Sequence, residues 1–182
     1  MTAAASVTLL AFGVACASAA ANDTSSKRAA SASGAADVIP GVEVLLSDSL
    51  HLIRGKRVGL ITNQSGRDRK GTSTIDLLYK APGVRLTTLF APEHGVRGLA
   101  EAGASVESTV DSATGIPIYS IYGKKNVPTR EMLANVDVLV YDIQDVGARV
   151  YTYEWTMALV ADSAQKPFIV LDRPDPVRAP EP

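Results

Sequence analysis

Few stretches constrain this chain as tightly as residues 136–143, VDVLVYDI. Both alternating sets of side chains are apolar apart from one aspartate each, so a strand built from this run must be covered on both faces. Strands of that kind belong to mainly parallel sheets, whose neighbours are joined by helix-length crossovers. The flanking sequence supplies such crossovers. Arg57-Val58-Gly59-Leu60-Ile61-Thr62 predicts another buried strand. Ser73-Thr74-Ile75-Asp76 has the capping pattern that opens a helix, here running through Leu77, Leu78 and Ala81. Residues 84–90 predict a second strand, and 116–122 a third, placed at a sheet edge by Pro117. A short helix is expected over 129–135. A longer one is expected over 151–165, where Trp155 and Leu159 lie one turn apart on one face and Trp155 reads as core. Residues 168–171 give the fifth strand. Strands alternating with helices predict an α/β fold with a mainly parallel sheet.

The first 36 residues are different in kind, almost all Ala, Ser and small apolar side chains. Residues 7–21 are apolar and small, and Ala17-Ser18-Ala19 offers an A-x-A cleavage signal, so 1–21 reads as a secretory signal peptide, although no Lys or Arg precedes the apolar run. Cys16 opens the alternative of a lipid anchor, with Gly13 standing where a lipobox would place Leu. Residues 22–40 read as a flexible linker and 41–182 as the folded body. Export to the periplasm or the exterior is the expectation.

Charge and composition remove whole classes of function. With 18 Lys+Arg against 19 Asp+Glu and no basic block, the footprint of a nucleic-acid binder is missing. One cysteine permits no internal disulfide, and two histidines, His51 and His94, make no His-rich metal cluster. No metal-ligand spacing and no nucleotide fingerprint occur, so no metal and no cofactor are expected.

Polar residues gather where strands end. The first strand runs into Asn63-Gln64-Ser65-Gly66, the second into Pro92-Glu93-His94-Gly95-Val96-Arg97, the fourth into Asp142-Ile143-Gln144-Asp145, then Arg149 and Tyr151, and the fifth into Asp172-Arg173. In open parallel sheets the carboxyl ends of strands build the ligand crevice. Four clusters on one edge argue for a site that holds a polar ligand. Each also has a plainer reading. Asn63 to Gly66 can be turn chemistry, Asp142 and Asp145 can cap the following turn, Arg149 can mark a helix start, and Arg173 can pair with a carboxylate. His51, in an amphipathic segment, reads as a surface or packing residue.

The segments GKRVGLITNQSGRD, LFAPEHGVRG, VDVLVYDIQDVGARVYTY and PFIVLDRPDP, in this order, resemble the exo-β-N-acetylmuramidase (NamZ-type) family of exported or lipid-anchored bacterial glycoside hydrolases. The resemblance spans residues 41–176. It implies a Rossmann-like domain with helices on both faces of the sheet, followed in the family by a second, smaller domain, before which this chain stops. Val150 stands where an aromatic is usual in the family and Asp175 where Asn is common. The implied substrate is a peptidoglycan-derived muropeptide or disaccharide, cut to release N-acetylmuramic acid from its non-reducing end.

Glycoside hydrolysis needs an acid for the leaving oxygen and usually a second carboxylate as base or nucleophile. Glu93, framed by Pro92 and Gly95, is the expected acid, since a glutamate in a partly buried crevice can keep its proton near neutrality. Asp142 and Asp145 are the available second carboxylates. His94 and Arg97 can orient the acid or bind a lactyl carboxylate. Asn63, Gln64, Gln144, Arg149 and Tyr151 supply hydrogen bonds to hydroxyls and the acetamido group, with Asp172 and Arg173 also counted as substrate-binding. Two other classes stay open. One is a non-catalytic carbohydrate-binding module, and the other an α/β hydrolase of another substrate, against which stands the lack of a G-x-S-x-G elbow.

Overall fold

The computed structural model describes residues 38–92, 95–98, 109–123, 126–148 and 151–174. Three α-helices and six strands are formed there: α1 (Gly41–Ser47), β1 (Arg57–Thr62), α2 (Thr74–Lys80), β2 (Arg85–Ala91), β3 (Thr109–Val110), β4 (Pro117–Ser120), β5 (Val138–Asp142), α3 (Tyr153–Ala164) and β6 (Phe168–Val170). They build one sheet in the order β3-β4-β2-β1-β5-β6. All neighbours are parallel except the two-residue β3, which runs antiparallel to β4.

The order explains the function of β1. From β1 the chain winds outward through β2 to β4, then returns to β1's other side and winds the opposite way through β5 to β6. Right-handed crossovers made in opposite directions put their helices on opposite faces. Two cores result. Val58 and Leu60 of β1 pack with α1 and α2 through Val42, Leu45, Ile75 and Leu78. Ile61, one position on and so on the other face, packs with Leu139, Tyr141 and the Val160 and Ala164 of α3. The carboxyl ends of β1 and β5, side by side with Thr62 opposite Asp142, form the switch point where such sheets hold ligands.

Local chemistry accounts for the element ends. Ser73 caps α2 by accepting the Asp76 amide at 3.3 Å. Gly41 starts α1 hard against the end of β6, its amide donating to the Asp172 carbonyl at 3.0 Å. A Cβ there would lie 2.6–2.7 Å from the Leu171 and Asp172 backbone, so only glycine permits the approach.

Three expectations are corrected. Residues 129–135 form turns, because Leu133 makes one helical bond to Thr129 and the following bonds, Ala134 to Glu131 and Val136 to Leu133, close tighter loops. Strand β4 is not an edge: β3 lies outside it, and Pro117 is tolerated as its first residue. Trp155 is not core. It is 70% exposed, since α3 is apolar on several sides and buries Val160 and Ala164 instead. Helix α1 and strand β3 went unpredicted.

Candidate functional site

At the end of β1 the chain turns sharply, the Gly66 amide donating to the Asn63 carbonyl at 3.1 Å. Asn63 is buried, and its Oδ1 accepts from the amide (2.9 Å) and hydroxyl (2.5 Å) of Ser65. The Ser65 hydroxyl oxygen in turn accepts from the Gln144 amide at 2.8 Å, lacing the turn after β1 to the segment after β5. Gly66 sits so close to the sheet that a Cβ would lie 2.9 Å from the Asp142 carbonyl oxygen and collide with Thr62 Oγ1.

Asp142 ends β5 with no exposure at all. Its carboxylate accepts from Arg173 Nε at 2.6 Å and Nη2 at 3.0 Å, and from the hydroxyl of Thr74. Its carbonyl accepts from Thr62 Oγ1 at 2.7 Å. Arg173 goes on to donate to the Arg67 carbonyl at 2.8 Å. One residue thus ties together β1 through its carbonyl, and the start of α2 and the segment after β6 through its carboxylate, all at the end of β5. Both oxygens of Asp142 are engaged, and Arg173 pairs with this carboxylate as the plainer reading allowed.

Asp145, three residues on, is placed differently. Its Oδ1 accepts from the Gly147 amide at 2.8 Å. Its Oδ2 is buried and has no hydrogen-bond partner among the described residues. A carboxyl oxygen kept from water without a hydrogen-bond partner is costly unless a ligand or a further group meets it. Beside it opens a cavity of about 230 Å³, lined also by Tyr141, Gln144, Tyr153, Asp172 and Arg173. Burial, aided by the charge of Asp145, holds the Tyr141 phenol well above its usual range, so it stays protonated and donates to the Tyr153 carbonyl at 2.9 Å. Gln144 is turned to the carbonyls of Asp145 (2.6 Å) and Pro174 (2.9 Å). Tyr151 is half-exposed, its ring 6.2 Å from that of Tyr153.

Asn63, Gln64 and Arg97 border a second hollow, of about 380 Å³, on the β1 side. Arg97 is not a bare cation there. Its guanidinium is paired with Asp111 (2.6 and 2.9 Å) and reaches Asp76 at 3.2 Å. The same bonds hold the Asp111 carboxyl below the usual carboxylate range. Glu93, His94 and Arg149 lie outside the described residues; β2 ends at Ala91, two positions before Glu93.

The structure therefore brings Asn63, Gln64, Asp142, Gln144, Asp145, Asp172 and Arg173 to one edge of the sheet, around its switch point. Sequence reasoning gave no site role to Thr62, Thr74, Ser65 and Asp111, the polar partners of those residues, or to Tyr141 and Tyr153 on the cavity wall. Tyr141 carried a signal only in directly preceding Asp142 at the end of the run 136–143. Among the described residues no three His, Cys, Asp or Glu side chains stand together as a metal site.

Comparison with known proteins agrees with this architecture. The family described as exo-beta-N-acetylmuramidase NamZ, N-terminal, matches residues 58–181. Peptidoglycan beta-N-acetylmuramidase NamZ of Bacillus subtilis is 53% identical over 139 residues, which are 75% of this chain and 34% of that protein. Among solved structures, a DUF1343 family protein of Bacteroides fragilis is 52% identical with a TM-score of 0.68, covering 76% of this chain and 35% of that one. A second from the same organism is 32% identical, with a TM-score of 0.63 over 77% and 36%. The chain spans about a third of the length of the relatives it matches. On sequence and on fold alike, the chain belongs to the NamZ family, in the portion described as N-terminal.

Proposed function

We propose that this chain is the Rossmann-like part of an exo-β-N-acetylmuramidase, a glycosidase that releases N-acetylmuramic acid from the non-reducing ends of peptidoglycan fragments. The observation that carries the reading is the 53% identity to a peptidoglycan beta-N-acetylmuramidase across the strands that build the switch point. The surroundings of the two aspartates support giving them different roles. Asp142, with both oxygens engaged, is an anchor. Asp145, with one buried oxygen unmatched beside a cavity, is the second carboxylate of the reaction. Glu93 is the proton donor to the leaving oxygen, and Asp145 activates water or attacks the anomeric carbon. Gln144 and the Tyr141–Tyr153 wall hold the sugar against it.

The test is release of free N-acetylmuramic acid from a muramyl-glucosamine disaccharide, followed by mass spectrometry. The enzyme is this body placed in a full-length NamZ framework, and Glu93→Gln is its control. Glutamine keeps the volume but has no carboxyl proton to deliver, so turnover should fall by about 10²–10⁴. Near-normal turnover by a folded Glu93→Gln protein removes Glu93 from the mechanism.

We also propose that residues 1–21 direct export, that 22–40 are a linker, and that the protein works outside the cytoplasm, on the motif Ala17-Ser18-Ala19. N-terminal sequencing of the native protein tests this. A new terminus within residues 20–22 supports it, a diacylglyceryl group on Cys16 makes the protein lipid-anchored, and an intact Met1 in the cytoplasm refutes export.

A further inference from the structure

We propose that Ser65 is a positioning residue for the reaction, its hydroxyl holding the chain after β5 so that Asp145 meets the cavity. The inference rests on Asp145 being the second carboxylate. Strand β5 ends at Asp142, so residues 143–145 lie beyond the ladder of the sheet. Asp145 works from that stretch, and its placement depends on what ties the stretch down.

The first tie comes from the β1 side. The Gln144 amide donates to the Ser65 hydroxyl oxygen at 2.8 Å. An amide N–H can only donate, so the oxygen must offer it a lone pair, and the hydroxyl proton goes to Asn63 Oδ1 at 2.5 Å. With its proton spent on Asn63, Ser65 acts through Gln144. The second tie is Gln144 itself, whose side-chain NH₂ donates to the carbonyls of Asp145 (2.6 Å) and Pro174 (2.9 Å). The main chain at 144–145 is thus slung between the turn after β1 and the segment after β6.

The platform under Ser65 is firm. Asn63 is 4% exposed, the Gly66 amide closes the turn on the Asn63 carbonyl at 3.1 Å, and the Thr74 amide donates to the Gly66 carbonyl at 2.9 Å. Turn chemistry does not call for the hydroxyl. Asn63 Oδ1 already accepts the Ser65 amide at 2.9 Å, which closes an Asx turn whatever side chain residue 65 carries. Nor do the strand ends call for it, since Asp142 with Thr62, Thr74 and Arg173 holds them. What the hydroxyl adds is one bond to a residue 79 positions away, next in the chain to Asp145. Without it the half-buried Gln144 amide loses its acceptor, and the chain must shift to find another. A misplacement of about 1 Å at a reacting group can cost about a hundredfold in rate.

The test is a double-mutant cycle between Ser65→Ala and Asp145→Asn, made with this body in the full-length NamZ framework and assayed well below the melting midpoint. Turnover of the muramyl-glucosamine disaccharide is followed by mass spectrometry. Ser65→Ala should lower kcat by about 10–100-fold with KM within about threefold, and should lower it by less than about threefold when Asp145 is already asparagine. Ser65→Thr, which keeps the hydroxyl, should stay within about threefold of the parent. A role confined to stability predicts the same loss in both backgrounds. Equal losses, a folded Ser65→Ala protein with parental kcat, or a Ser65→Thr protein as slow as Ser65→Ala overturns the proposal while leaving Asp145 in the mechanism. Near-parental turnover by Asp145→Asn overturns both the proposal and the reading beneath it. If Ser65→Ala does not fold, Ser65→Cys takes its place in the cycle, since a thiol keeps the volume but accepts an amide only weakly.

Discussion

Replacing Asp142 by asparagine changes one atom and should unfold much of what holds the site together. The carboxylate receives three donors, two from Arg173 and one from Thr74, and it is sealed from solvent. An amide has one acceptor oxygen and one NH₂ group. Whichever way it turns, the NH₂ meets an Arg173 N–H donor to donor, Nε on one side and Nη2 on the other. The Arg173 side chain is only 10% exposed, so its charge is left largely buried without a counter-ion. Breaking a buried pair by losing one partner costs roughly 3–5 kcal/mol, a third or more of the stability of many domains. For a body of this size about 3–5 °C of melting temperature goes with each kcal/mol, so the midpoint should drop by about 10–20 °C. Thermal and urea unfolding followed by circular dichroism measure it, with an unchanged urea slope showing that the denatured state is not the cause. Adding Arg173→Met to the variant should restore a good part of the loss, since removing both charges is far less costly than stranding one. A loss below about 1 kcal/mol, or a double variant no better than the single one, would mean that the pair does not hold the strand ends as argued.

Three further outcomes are expected. Gly66→Ala should destabilise the body by about 1–3 kcal/mol in urea unfolding, because its Cβ must displace Thr62 from Asp142 or part the turn from β5. Asp111, held below the ordinary carboxylate range by Arg97, binds fewer protons folded than unfolded, so its contribution is present above pH ~4 and fades as pH falls through the lower folded value; Asp111→Asn should therefore flatten the acid limb of a stability–pH curve. Asp145→Asn should leave melting nearly unchanged, since the Oδ2 atom has no hydrogen-bond partner among the described residues to lose, while turnover in the full-length framework falls by about 10²–10⁴.

What could be read in the sequence follows from how local each signal is. Strand β1 was placed at both ends, because Val58 to Ile61 are apolar on both faces and are followed at once by turn residues. The cap of α2 was equally local, a hydroxyl and an amide three residues apart. Helix α3 was found, but its buried side was not, because Tyr153, Trp155, Met157, Leu159 and Val160 make several sides apolar and only the sheet decides which one is covered. Strand β3 is two residues long and exists through its pairing with β4, which no pattern in Thr109-Val110 records.

The two aspartates show where local reading stops. Asp142 and Asp145 follow the same strand three residues apart, and by type and position either could be a catalytic carboxylate. What separates them is Arg173, which arrives through α3 and β6, and Thr74, which arrives with α2. Both donors converge on Asp142, because the parallel sheet sets the ends of β1, β5 and β6 side by side. None converges on the inner oxygen of Asp145 among the described residues, and that carboxylate borders the cavity. The same winding that spends one acid on holding the strands in register leaves the other at the mouth of the switch point with one buried oxygen that has no partner among the described residues. An oxygen in that state gains most from a group that brings it a donor or an electrophilic carbon, as a bound sugar would. The different surroundings of the two acids are thus a property of the topology, and they become visible only when the residues that reach them from elsewhere in the chain are in place.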